Sequence, residues 1–131
     1  MEEDFLSLVR ADASVTALLG NRINWIKRPQ EDTIFPACVL QRVGGSVGYH
    51  SKAPDGLVDS RVQCDVWAHT YGAAKIAMRA IQAVISGHSG TVGGTVFQSV
   101  TIDSERDLSD EDQSINNQLF RVSADFRIWH R

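Results

Sequence analysis

The stretch NNQLFRVSADFRIWH, residues 116–130, alternates apolar and polar side chains for longer than any other part of the chain. Phe120, Val122, Ala124, Phe126 and Ile128 fall on one face, and Leu119, Arg121, Ser123, Asp125, Arg127 and Trp129 on the other. A period of two sustained over this length is the pattern of an extended strand with one buried face. DSRVQCDVWAH, residues 59–69, repeats it: Val62, Cys64, Val66 and Ala68 oppose Arg61, Gln63, Asp65 and Trp67. Two strands with one apolar face each require a sheet that is covered on one side.

The cover is legible in the same way. Thr70 caps YGAAKIAMRAIQAVI, in which Ala74, Ala77, Met78, Ile81 and Ile85 form one stripe at helical spacing, with Lys75, Arg79 and Gln82 off it and Ser86 and Gly87 at its end. Near the start, Phe5, Leu8 and Val9 follow Glu2, Glu3 and Asp4, acids that suit the positive end of a helix. A short helical turn begins at Asp12 or Ser14 and stops at Gly20. RINWIK reads as a short strand, FPACVLQRV as a better one with Pro36 at its start, and VFQSVTID as another; GHSGTVGGT reads as a turn. The expectation is one α+β domain over residues 1–131, with a mostly antiparallel sheet of four to five strands and two main helices packed on one face.

Composition narrows the class. At 131 residues and 14.4 kDa the chain has the size of a single domain able to fold without staples. Its apolar runs fall well short of the ~20 residues of a membrane span, and its three leading acids argue against a secretory signal, so retention in the cytosol is expected. The net charge of -3 is uneven: residues 103–112 carry six acids against Arg106, a balance of -5, which leaves +2 elsewhere. Lysine and arginine are nowhere dense, which disfavours direct nucleic-acid binding. Cys38 and Cys64 sit inside apolar segments and are expected as buried thiols.

The motifs that suggest chemistry are incomplete. Gly44-Gly45-Ser46-Val47-Gly48 fits the pattern that presents a nucleophilic serine, but the following residues lack the helix a nucleophile elbow needs. A mobile loop is expected instead across residues 45–57, including Gly45, Ser46, Gly48, Tyr49, His50 and Lys52. His50, His69, His88 and His130 are scattered without metal-ligand spacing, GHSGTVGG has no Lys-Ser or Lys-Thr to complete a phosphate loop, and the acidic run lacks the spacing of a calcium loop. No catalytic, metal or cofactor-binding residues are assigned, and the acidic run reads as a loop turned to solvent or to a partner.

The polar strand faces remain to be explained. Trp67 stands with Arg61 and Asp65, and Trp129 with Arg121 and Arg127, on faces opposite the core. Aromatics interleaved with arginine are the composition of a protein contact surface. Contact candidates are therefore Arg61, Asp65, Trp67, Arg121, Arg127 and Trp129, with Glu105, Asp107, Asp110, Glu111 and Asp112 from the acidic run.

The ordered set LVRADASVTALLGNRI, IFPACVLQRVG, SRVQCDVWAHTYGAAKIAMRAIQAVI and LFRVSADFRIWH resembles the tail completion, or tail-terminator, family of long-tailed phages, prophages and gene transfer agents. Its more specific pieces are Phe35-Pro36 opening a strand and Asp65-Val66-Trp67-Ala68 running into the helix that contains Gly72. The resemblance implies a structural protein without a catalytic site, which forms a ring, usually of six subunits, that caps the tail tube and joins the tail to the head-side connector. It also implies partners: copies of itself, the tube protein and a neck protein, in the host cytoplasm during assembly and then at the tail-neck junction of the particle. Two other classes remain open, a head-side neck protein of the same joint and a small ligand-binding or hydrolytic domain.

Overall fold

The computed structural model describes residues 1–26, 35–50, 53–112 and 117–131. Two helices open the chain, α1 (Glu2–Arg10) and α2 (Ala13–Leu19), followed by the strands β1 (Ile23–Trp25), β2 (Ala37–His50) and β3 (Ala53–Ala68). Helix α3 (Tyr71–Ile85) precedes β4 (Gly90–Val92), β5 (Thr95–Asp112) and β6 (Asn117–His130). The fold is α+β, with one six-stranded sheet in the order β1-β2-β3-β6-β5-β4. Every pairing is antiparallel except β1 with β2, where Ile23 lies beside Cys38.

The core forms where the apolar faces meet the helices. Val62, Cys64, Val66 and Ala68 of β3 and Val122, Ala124, Phe126 and Ile128 of β6 are all buried, as their alternation requires. Against them lies α3, burying Ala74, Ala77, Met78, Ile81 and Ile85. Its first turn is closed by the Thr70 hydroxyl, which accepts from the Ala73 amide at 3.1 Å. Phe5 and Val9 of α1 and Val15 and Leu19 of α2 complete the same cluster. The Asp12 carboxylate caps α2 through the Ser14 and Val15 amides, and Gly20 ends that helix with φ +55°. Cys38 and Cys64 are both buried, with their sulfurs 3.4 Å apart.

Three expectations are corrected. The sheet has six strands rather than four to five, because two three-residue strands join its edges: β1 was legible, whereas β4 lies in the stretch read as a turn. Gly45, Ser46, Gly48, Tyr49 and His50 belong to β2, paired with β3, and do not form a loop; Lys52 lies outside the described residues. The acidic run is also strand. β5 continues to Asp112, pairing through Asp110 with Leu119, Glu111 with Gln118 and Asp112 with Asn117. Glycines and acids carry no apolar periodicity, so the pattern that reveals a half-buried strand disappears where a hairpin leaves the core.

These corrections give the molecule two projecting hairpins. β3 and β6 pair from Val58 with His130 to Ala68 with Phe120. Beyond the first end, β2 and β3 continue to His50 beside Ala53; beyond the second, β5 and β6 continue to Asp112 beside Asn117. The hairpins therefore leave the central pair at opposite ends.

Candidate interaction surface

The face turned away from the helices is built from register. Reading across β2, β3, β6 and β5, its rungs are Ala37, Trp67, Arg121 and Leu108; then Val39, Asp65, Ser123 and Arg106; then Gln41, Gln63, Asp125 and Ser104. Next come Gly44, Arg61, Arg127 and Thr101, and last Ser46, Asp59, Trp129 and Ser99. Irregularities between Arg42 and Gly44 and between Ile102 and Ser104 keep the rungs aligned as the outer strands gain a residue.

Charge pairs and rings organise this face. Arg127 donates to both oxygens of the Asp59 carboxylate at 2.6 to 3.1 Å, and its guanidinium lies 4.9 Å from the centre of the Trp129 ring. The hydrogen bonds from Arg127 hold the Asp59 carboxyl below its ordinary range and push the guanidinium above its own. Arg121 lies 5.8 Å from the Trp67 ring. Arg61 reaches Asp103 at 3.6 Å, while Ser104 and Arg106 both donate to one oxygen of Asp125 at 3.2 Å. The other Asp125 oxygen, one oxygen of Asp65 and the Ser123 hydroxyl are buried without a hydrogen-bond partner among the described residues.

The acids divide by side. Asp103 lies by Arg61 at the outward face, but Glu105 and Asp107 point toward the helix layer. Lys75 of α3 binds Glu105 at 3.2 Å and Asp107 at 3.0 Å, and the Tyr71 hydroxyl donates to Asp107 at 2.7 Å. These bonds lower the Asp107 carboxyl, Tyr71 first and Lys75 second, and hold Lys75 above its usual value. The reading of the run as a loop turned to solvent or to a partner missed this clamp, because nothing local in residues 103–112 announces a lysine on a helix about thirty positions earlier. The side chains of Asp110, Glu111 and Asp112 lie outside the described residues.

A family model described as tail completion protein gp17 matches residues 3–131. The chain belongs to the tail completion protein gp17 family. No curated protein matches it. Among solved structures, it is similar to a chain of the virion of a native gene transfer agent particle, with TM-score 0.72 and 14% identity over 98% of this chain and 92% of that chain. At that identity the likeness carries the fold, and the fold agrees over nearly the full length of both chains.

Membership in the tail completion family gives the chain a structural role in the phage tail, and the serine suspected of chemistry is placed accordingly. Ser46 is exposed on β2, beside Asp59, and the next element is the strand β3 instead of a helix. A different serine meets a histidine: the Ser60 hydroxyl lies 2.9 Å from His130 Nε2, with both residues buried. Sequence reading did not find this pair, since 70 positions separate its members. Of the other histidines, His69 packs edge-on against Phe35 and His88 against Phe97. Among the described residues, no three His, Cys, Asp or Glu side chains gather as a metal site, and no helix is long and apolar enough to cross a membrane. A groove of about 500 Å³ runs beside α1, lined among others by Leu6, Arg10, Trp25, Ile26 and Arg42, and Arg10 donates to the Ile23 carbonyl at 2.6 Å.

Proposed function

We propose that the protein caps the tail tube as a ring of identical subunits and forms the surface that joins the tail to the head-side connector. Family membership over residues 3–131 is the observation that carries this reading. The shape of the molecule supports it: a ring built by head-to-tail contact needs two different complementary patches on one chain. Hairpins leaving opposite ends of the sheet, one of them ending in acids, provide two unlike surfaces. The outward face, with Trp67, Trp129, Arg121 and Arg127, suits contact with neighbours or with the tube.

On this reading the partners are further copies of the chain, six being the expected number, together with the tail tube protein and a neck protein. Assembly takes place in the host cytoplasm, and the final location is the particle itself, as the similarity to a virion chain favours.

The test is molar mass by light scattering across a concentration series, alone and with tail tube protein, with negative-stain images of any large species. The expected result is a closed ring with a central hole that binds tube ends. A chain that stays monomeric in both conditions, or that binds portal-side protein and not tube, overturns the capping role.

A further inference from the structure

Both sides of the sheet end in long strands that their edge neighbours cover only briefly. β1 covers β2 from Cys38 to Leu40, and β4 covers β5 from Thr95 to Phe97. Among the described residues, no strand pairs with the outer edge of β2 over residues 41–50 or of β5 over residues 101–112. Long uncovered edges are templates for pairing with another chain.

The hydrogen-bond pattern identifies the exposed groups. Cys38 N–H donates to the Arg22 carbonyl and Leu40 C=O accepts from Ile26, so the even positions at the start of β2 face outward. The irregularity between Arg42 and Gly44 shifts the alternation by one, turning the N–H and C=O of Gly45 and Val47 away from β3. On β5 the outward carbonyl of Val100 is taken by the Gly87 amide; after the irregularity between Ile102 and Ser104, Glu105 and Asp107 face outward.

Side-chain chemistry matches the two edges to each other. By sequence, β2 carries Arg42 and His50 and no acid within Ala37–His50, whereas β5 carries six acids against Arg106, three of which, Asp103, Glu105 and Asp107, already pair with Arg61 and Lys75. Each edge also shows apolar side chains to solvent: Val43 and Val47 on β2, at 45% and 42% exposure, and Ile102 and Leu108 on β5, both at 37%. Strand direction agrees as well. Three successive antiparallel pairings make β2 and β5 run in opposite directions. A rotation about an axis along the strands preserves those directions, so β5 of one copy meets β2 of the next in the antiparallel sense.

We propose that adjacent subunits join edge to edge, with residues 101–112 of β5 in one copy pairing antiparallel with residues 41–50 of β2 in the next. The proposal rests on the ring reading above and specifies its contact: the sheet continues from subunit to subunit, and the edges that would otherwise invite indiscriminate pairing are consumed within the ring.

The experiment compares the wild-type chain, Val47→Pro and Val47→Ala by light scattering and by amide hydrogen exchange in the monomer and in the assembled ring, formed alone or on tail tube protein. Val47→Pro removes an outward N–H and leaves the β2–β3 ladder intact, as proline at a strand edge allows; Val47→Ala keeps the N–H. Edge pairing predicts self-association weaker by about tenfold or more for Val47→Pro than for Val47→Ala. It also predicts exchange at Gly45, Val47, Glu105 and Asp107 slowed by about a hundredfold on ring formation. Wild-type rings in which these four amides exchange as fast as in the monomer overturn edge pairing while the ring reading stands, whether or not Val47→Pro folds. A wild-type chain that forms no ring in either condition overturns both.

Discussion

Residues 130 and 64 show how burial sets reactivity. Burial pushes the His130 imidazole below its ordinary value, so the folded chain resists a proton that the unfolded chain accepts near pH 6.5. Stability is therefore retained above that pH and falls as pH drops through it toward the lowered value. The thermal midpoint is expected to decrease between pH 7.5 and 5.5, and His130→Gln to flatten this dependence; an unchanged slope in the variant would assign the effect to other groups. At Cys64, the hydrogen bond with Cys38 and complete burial raise the thiol well above its usual range. Both cysteines should resist an aromatic disulfide reagent in the native state and react within the dead time after denaturation.

At the scale of elements, the turn between β4 and β5 is tied to the first helix. Asp4 of α1 accepts from the Thr95 hydroxyl at 2.5 Å, and a Cβ placed on Gly93 would run into the Asp4 carboxylate. Gly93 also has φ +57°, whereas its neighbour Gly94 has open space around it and no such angle. Gly93→Ala is expected to destabilise the protein by about 1–3 kcal/mol in chemical denaturation, combining backbone strain with the broken dock. Gly94→Ala should leave the midpoint nearly unchanged, and equal effects from the two would remove the special role of this turn. α3 is anchored differently: near its start, Tyr71 and Lys75 bind Asp107 and Glu105 of β5.

For the whole molecule, one face of the sheet makes the core, and the assembly reading proposed above gives the other face to contacts with neighbours. Trp67→Ala and Arg121→Glu change the outward face and leave the buried cluster intact. The expected outcome is weakened association in sedimentation or light scattering, with an unfolding free energy within about 1 kcal/mol of wild type. Ser46→Ala should alter neither. Loss of folding in both outward-face variants would make this face part of the structural framework instead of a contact surface.

Periodicity made β3, β6 and α3 legible, because a one-sided sheet and its covering helix must repeat apolar side chains at two and at 3.6. Thr70, Asp12 and Gly20 announced helix ends through chemistry that acts within a few residues. The same local logic failed for residues 45–50 and 103–112, which are strand because a partner strand supplies their hydrogen bonds, not because their side chains show a face. The contact candidates on β3 and β6 were legible as a face, and the tertiary structure brought Arg127 to Asp59, Arg121 to Trp67 and Lys75 to Glu105 and Asp107. Sequence by itself determined which side chains the core must bury. Only the tertiary structure decided how far each strand extends, which edges stay uncovered and which distant charges meet, since those depend on chain segments that no local pattern joins.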